Sequence, residues 1–190
     1  MNIFLSKGGS EQMFKYKVDK AITLKQLQLS HTNEFYYLIE NNRSLFREWL
    51  PWIDYATSIQ RSYEIIQGWL HLAAENTGLN AGIFYQKKLV GSLSLHAFDW
   101  TNKNVSIGYF LDEQFQGNGI VIKSVNSITK YALTNLNMHR VEIRCAVNNK
   151  KSCAIPEKLG FTKEGIIRDG ELIHGKFHDL YLYSMLSNNL

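Results

Sequence analysis

The sequence predicts one α/β domain of the mixed α+β kind, in which a mostly antiparallel sheet is flanked by helices. Its length of 190 residues, 45% of them hydrophobic, suits one well-formed core and is short for two. Three strand-like segments follow one another with only short turns between them, which is typical of antiparallel hairpins. A helix and another strand come next, and this order predicts one parallel crossover.

The first half of the chain predicts a strand followed by a cover of helices. Apolar residues recur roughly as in a strand over 22–29, and a helical face follows over 31–42. The bulky apolar segment 43–53 reaches a break at Pro51. A longer helix is predicted over 58–76, because apolar residues recur there at helical spacing: Ile59, Tyr63, Ile66, Leu70, and Ala73 or Ala74.

The second half predicts the sheet and the crossover. The three hairpin strands span 79–85, 88–98 and 105–111. A helix then begins after a glycine-bearing turn and ends near 135–137, with Val121, Val125, Ile128 and Ala132 on one face. A strand over 141–147, a short helix over 151–159, and strands over 161–167 and 177–186 complete the order.

Several classes of protein are disfavoured by composition. Apolar runs are too short to span a bilayer and the first residues do not read as a secretory signal, so we expect a cytoplasmic protein that does not bind membranes. The net charge of +4 is scattered, which does not favour nucleic acid as a partner. Cys145 and Cys153 lack metal-ligand spacing, and we expect no metal.

The start of the chain is treated separately from the domain. Residues 1–13 show almost no periodicity and include Gly8-Gly9, so we interpret them as a disordered arm or an extension, with Met13 as a second candidate start. The folded domain is therefore predicted over 14–190.

The turn Gln116-Gly117-Asn118-Gly119 lies between a strand and an amphipathic helix. A helix N-terminus presents free backbone N–H groups and a positive dipole end, which together attract phosphate. Glycine allows close approach of a diphosphate, or a positive φ, and many such turns use glycine for geometry alone. The turn by itself therefore indicates a phosphate site only weakly.

The surrounding motifs strengthen that interpretation. Residues 116–121 resemble the Q/R-x-x-G-x-G/A turn of the GNAT N-acetyltransferase family. The strand RVEIRCAVN, the run from Asn148 to Ser152 and the segment EKLGF resemble the downstream motifs of that family. The likeness covers about residues 20–187. REWLPW, SIGYF and ELIHGKFHDLYLYSML resemble in particular the branch that acetylates N-terminal serine or alanine of ribosomal proteins.

The resemblance implies acetyl-CoA as cosubstrate and a sheet with a central splayed pair of parallel strands. Phe110 and Leu111 would pair with the pantetheine arm, and a backbone N–H near Tyr109 or Phe110 would polarise the acetyl carbonyl. The implied coenzyme-binding set is Tyr109, Phe110, Leu111, Gln116, Gly117, Asn118, Gly119, Ile120, Val121, Asn148 and Ser152. Two residues depart from the pattern: Val121 replaces a small residue, and Ser106 replaces a strand glutamate.

The resemblance also implies the catalytic residues. Ser152 would protonate the departing thiolate, with a helix-capping serine as the alternative. Glu171 would take the proton of the amine, with a solvated hairpin glutamate as the alternative. His96 is another candidate base and a candidate acceptor-binding residue, although an isolated strand histidine is more often structural.

The acceptor side is less defined. Trp49 and Trp52, with Tyr55, would form the wall of the acceptor groove, and core packing is the alternative for either Trp. We expect acetyl transfer to a primary amine by direct attack in a ternary complex, with the α-amine of a protein, such as a ribosomal protein, as acceptor. A small polyamine or drug-like amine, and an inactive acetyl-CoA-binding module, remain alternatives. A homodimer is also left open.

Overall fold

The structure, a computed structural model, describes residues 13–189. Most of the segment interpreted as an arm, residues 1–12, lies outside that range. Eight strands form one sheet in the order β1-β2-β3-β4-β5-β6-β8-β7. The strands are β1 (Lys15–Lys17), β2 (Ile22–Gln26), β3 (Leu79–Tyr85), β4 (Lys88–Asp99), β5 (Asn104–Leu111), β6 (Arg140–Ala146), β7 (Thr162–Ile173) and β8 (Lys176–Leu186).

Five α-helices flank this sheet in the described part of the chain. They are α1 (Thr32–Asn41), α2 (Arg43–Arg47), α3 (Ile59–Ala74), α4 (Ile120–Thr134) and α5 (Lys150–Lys158). A 3₁₀ segment, Pro51–Tyr55, follows α2 and begins at the proline predicted to break that segment. No helix within residues 13–189 is long and apolar enough to cross a membrane.

The predicted fold class is confirmed, including the single parallel pair. β5 and β6 run parallel, joined by α4, and all the other strand pairs of the sheet are antiparallel. The parallel pairing covers three residue pairs and ends at Ser106 and Glu142. β5 nevertheless continues to Leu111 and β6 to Ala146. The two strands therefore diverge, and a gap opens between them toward their C-terminal ends.

Apolar layers on the two faces of the sheet fix the walls of this gap. α4 packs on one face through residues that are fully buried, Val125, Ile128 and Ala132, as its periodicity predicts. On the other face, α1, α3 and the 3₁₀ segment form a second cluster around Phe35, Ile39, Ile53 and Ile66. Each wall consequently stands on its own core, and the gap lies between them.

Some details of the prediction are wrong, including the end of β7, which runs to Ile173 and not to residue 167. Strand β1 was missed, because three residues are too few to show a period. The buried face of α3 is also shifted: Ile59 is 43% exposed and Ser62 is fully buried. Ser58 caps this helix by accepting a hydrogen bond from the Arg61 N–H, which leaves Ile59 in the exposed first turn.

Helix α5 contains a proline that depends on a partner from β5. Pro156 has no N–H, so the carbonyl of Ser152, four residues earlier in the helix, lacks its usual donor. The hydroxyl of Tyr109 donates to that carbonyl at 2.9 Å instead. The side chain from β5 thus completes the hydrogen bonding of α5 and fixes the distance between the helix and the gap.

We predict that Tyr109→Phe lowers the free energy of unfolding by about 1–2 kcal/mol, because a partly buried carbonyl loses its donor. In a Pro156→Ala background the cost should fall markedly, since the substituted alanine supplies the missing N–H within the helix. Chemical denaturation of the four proteins of this double-mutant cycle measures the difference. An equal cost of Tyr109→Phe in both backgrounds would contradict the assignment.

Candidate active site

A cavity of about 1730 Å³ occupies the gap between β5 and β6 and reaches elements on both faces of the sheet. It brings together nearly all the residues that the sequence singled out. Those that line it are Trp49, Trp52, His96, Tyr109, Phe110, Leu111, Gln116, Gly117, Gly119, Ile120, Val121, Ser152 and Glu171. Asn118 and Asn148 do not line it. Asn149, the residue next to Asn148, does.

The glycine turn forms one end of the cavity. Gly117 and Gly119 have φ of +80° and +70°, so both need the left-handed conformation that glycine adopts at little cost. A Cβ at either position would meet no protein atom within 4 Å, which leaves open space in front of the turn. Within residues 13–189, the N–H groups of residues 117–122 find no acceptor. The turn can therefore hold a phosphate by its backbone.

Side chains around the turn hold its shape. The Asn118 side chain donates to the carbonyls of Phe115 and Gln116, which explains why it turns away from the cavity. Lys151, from α5, donates to Gln116 Oε1 at 3.2 Å. A cation thus lies beside the turn, on the side where α5 begins, and it adds to the attraction for anions.

Ser152 does not cap α5, so the capping alternative is wrong. Asn149 is the cap, and its side chain accepts from the Ser152 N–H at 3.1 Å. Ser152 Oγ instead lies 3.3 Å from the Tyr109 hydroxyl and 3.2 Å from Cys145 Sγ. The sequence suggested a role for the backbone of Tyr109 but none for its hydroxyl. The hydroxyl contact joins β5 to α5 across 43 residues, and no local sequence pattern reveals a contact over that distance.

Both neighbours of Ser152 keep their protons at neutral pH. Burial raises the pKa of Tyr109, and the nearby Cys145 raises it further. Burial likewise raises the pKa of Cys145, to about 12. The three groups form a neutral, protonated cluster at the gap, which can supply a proton to an anion that forms there.

Glu171 reaches the cavity because β7 carries a bulge. Between the pairs Ile167 with Leu180 and Glu171 with His178, β7 has two residues more than β8. The carboxylate of Asp179 stabilises the bulge by accepting from the Asp169 N–H at 2.8 Å. Bulges commonly re-aim a side chain near a site.

The surroundings of Glu171 suit a base. Partial burial raises the pKa of Glu171, and the charge of His178 opposes that rise. A carboxylate with a raised pKa binds a proton more readily than a solvated one. The solvated-hairpin interpretation is therefore disfavoured by the geometry.

Where the family pattern has a strand glutamate, this chain has Ser106, but the neighbouring strand carries a glutamate beside it. Glu142 pairs with Ser106 in register and is buried. Burial alone would raise the pKa of Glu142, but hydrogen bonds from Arg140 and Arg144 outweigh it and lower the pKa. Glu142 is thus a fixed anion inside an ion-pair cluster and does not serve as a base.

His96 lies beside Ser106 on the floor of the cavity, since the two pair in register across β4 and β5. Its Nδ1 is 3.1 Å from Ser94 Oγ. Desolvation lowers the pKa of His96, and the charge of Arg144 lowers it further. The ring is accordingly neutral at pH 7, as a base or an acceptor-binding group requires.

Trp49 and Trp52 both line the cavity, and Trp52 also packs in the core, so the groove-wall and core-packing interpretations both apply to it. Trp52 packs against Phe35, with ring centroids 6.3 Å apart, and also lines the cavity. Trp49 lines the cavity with its ring 6.4 Å from that of His178. The tip of the β7–β8 hairpin also reaches α2, because His174 Nε2 donates to the Arg47 carbonyl at 2.7 Å. His174 and Arg47 themselves do not line this cavity.

The side chains that could ligate a metal are scattered over the described part of the chain. Within 13–189, His, Cys, Asp and Glu side chains form no group of three that could hold a metal ion. Cys145 and Cys153 are buried free thiols.

Known proteins resemble this chain in sequence and in fold. A family model described as "Acetyltransferase (GNAT) domain" matches residues 21–162. The putative ribosomal N-acetyltransferase YdaF of Bacillus subtilis (strain 168) is 37% identical over 92% of this chain and 96% of its own. The ribosomal-protein-serine acetyltransferase of Escherichia coli (strain K12) is 26% identical over 90% and 95%.

A solved structure extends the likeness to a coenzyme complex. RimL, a ribosomal L7/L12 alpha-N-protein acetyltransferase bound to coenzyme A through a disulfide, superimposes with a TM-score of 0.88. It is 29% identical, and the match covers 93% of this chain and 99% of that one.

We predict that Gly119→Ala weakens coenzyme A binding at least about tenfold, because the methyl group and the strained turn disturb the free N–H groups. The matched control is Gly160→Ala, whose φ of +78° and open surroundings are similar but which lies outside the cavity. Each substitution should cost about 1–2 kcal/mol of stability, because a non-glycine residue is strained in the left-handed conformation. Calorimetric titration measures the affinities, and equal weakening by both variants would contradict the assignment.

Proposed function

The chain belongs to the GNAT acetyltransferase family and is an acetyl-CoA-dependent N-acetyltransferase; we propose that its acceptor is the N-terminal α-amine of a protein, such as a ribosomal protein. The observation that carries this proposal is the position of Glu171. The bulge in β7 directs this half-buried carboxylate into the cavity that Ser152 also lines. A base and a proton donor thus face one space.

The residues of the chain fit the coenzyme. The glycine turn offers free N–H groups for its diphosphate, and the diverging strands leave backbone edges for its amide-containing arm. When bound, acetyl-CoA supplies an activated acetyl group as a thioester. The gap between β5 and β6 would direct that group toward the acceptor face of the sheet.

Acetyl transfer then requires two proton transfers, one from the amine and one to the departing thiolate. The amine nitrogen forms the new C–N bond as the C–S bond breaks, and Glu171 accepts the proton that the amine loses. Ser152 Oγ donates a proton to the departing thiolate and regains one from solvent, while Glu171 releases its proton to solvent. One proton is thus lost and one gained, and the step balances.

An α-amine can react with a weaker general base than a lysine side chain needs. With a pKa of about 7.7–8.0, roughly a tenth of an α-amine is neutral at pH 7, against about one part in 10³ for lysine. This difference supports an N-terminus as acceptor.

A polyamine acceptor is less well supported. The carboxylates that line the cavity are Glu64 and Glu171, and three cations, Arg144, Lys151 and Lys158, line it as well. A site for a polycation would be expected to concentrate carboxylates without such opposing charges.

We predict that the protein acetylates peptides with N-terminal serine or alanine, with a kcat/KM well above that for spermidine or for the same peptides with a blocked N-terminus and a free lysine. Release of coenzyme A from acetyl-CoA, followed over such a panel, measures this. Faster turnover of spermidine would establish the small-amine alternative. Binding of acetyl-CoA without turnover of any amine would support an inactive binding module.

We predict that Glu171→Gln lowers kcat by roughly 10²- to 10⁴-fold, the usual contribution of a general base, and leaves acetyl-CoA binding unchanged. Only amine that is already neutral can then react. The residual rate should therefore rise about tenfold for each pH unit up to the pKa of the amine. Steady-state kinetics from about pH 6 to 9 test this.

His96→Gln is the matched variant for that experiment, because His96 is the other candidate base. It should keep the pH profile of the wild type. Normal turnover by Glu171→Gln, together with a lost rate in His96→Gln, would transfer the role to His96.

A further inference from the structure

Arg144 is a cation in the cavity that the acetyl-transfer step does not use. It lies on β6, two residues beyond the last pair with β5, and therefore on the diverging part of the strand. Its side chain is 51% exposed and lines the cavity. The same face of the sheet carries Ser106 and His96, so Arg144 belongs to the acceptor side.

A buried anion holds this arginine in place. Arg144 Nη2 donates to Glu142 Oε2 at 3.0 Å, and the Glu142 side chain is only 7% exposed. Glu142 is held from the other side by Arg140 Nε at 2.8 Å. Arg140 in turn forms two 2.6 Å hydrogen bonds with Glu164. The anchor of Arg144 is therefore itself held through Arg140 by Glu164 of β7, which lies two strands from β6 in the sheet.

The bond to Glu142 occupies only one side of the Arg144 guanidinium group. An arginine side chain carries five N–H donors. Beyond the bond to Glu142, the side chain of Arg144 makes no hydrogen bond to residues 13–189. A planar cation that is fixed on one side and open on the other suits bidentate binding of a carboxylate.

The side chains on the cavity side of Arg144 do not neutralise its charge. The groups of the floor beside it are His96, Ser94 and Ser106, none of which is an anion. The lowered pKa of His96 partly reflects the nearby charge of Arg144, and the ring stays neutral. An anion from the acceptor would therefore meet a cation with no competing carboxylate except Glu142, which is already engaged by Arg140.

We propose that Arg144 binds an acidic side chain of the acceptor, so that the enzyme prefers protein N-termini with Asp or Glu close behind the reacting residue. This inference rests on the proposed function. In register, Arg144 adjoins Leu182 on β8, and Glu171 adjoins His178. Strand geometry then separates Arg144 from Glu171 by roughly 15 Å, the span of about four or five extended residues. The acid is expected among roughly the second to fifth residues of the acceptor.

The test uses peptides that start with serine and carry one Glu, Gln or Lys at each of the second to fifth positions in turn. Wild-type enzyme should show, at one of these positions, a kcat/KM for Glu roughly tenfold above that for Gln, expressed in KM. In Arg144→Gln this ratio should fall to about one, and Arg144→Glu should favour Lys. Added salt should reduce the wild-type preference.

Arg168→Gln is the matched control, since Arg168 is exposed and does not line the cavity; it should keep the preference for Glu. Arg144→Lys, which keeps the charge and loses the planar fork, should retain part of it, so a variant that misfolds does not decide the result. Equal turnover of the Glu, Gln and Lys series, or a preference that survives Arg144→Gln, overturns the inference alone. No turnover of any N-terminal peptide overturns the proposed function and this inference with it.

Discussion

The divergence of β5 and β6 after three residue pairs is the constraint on which the site depends. Strand edges carry N–H and C=O groups that need partners, and a gap inside a sheet leaves such groups facing one another. Because α4 and the α1–α3 layer each pack on their own core, the gap cannot simply close. It is therefore a permanent slot whose backbone suits an amide-containing ligand.

The two faces of the sheet carry different groups of residues around this slot. On one face lie the glycine turn before α4, Lys151 of α5, and the cluster that Ser152 of α5 forms with Tyr109 of β5 and Cys145 of β6. On the other face lie the tryptophans, His96 and Arg144. Glu171, at the hairpin, faces the slot from the end. The proposed coenzyme groups and the proposed acceptor groups thus lie on opposite faces of the sheet, which allows acceptor preference to change without loss of the coenzyme site.

Much of the fold was predictable because its signals are local. The helical period of α4, the hairpins from 79 to 111 and the glycines of the turn each lie within a few residues. The missed features depend on contacts between distant segments. Tyr109 reaches Ser152 across 43 residues, and the bulge that directs Glu171 shows only in the register of β7 with β8. The placement of Glu142 beside Ser106 likewise depends on the pairing of two strands that are distant in sequence.

Hydrogen exchange with and without acetyl-CoA tests the central claim, that the slot and the glycine turn together form the coenzyme site. The amides of residues 117–122, which find no acceptor in the described part of the chain, should exchange quickly in the free protein and slow sharply on binding. The diverging ends of β5 and β6 should gain protection in the same experiment. Saturable binding that leaves these amides unchanged, with protection elsewhere, would contradict the account.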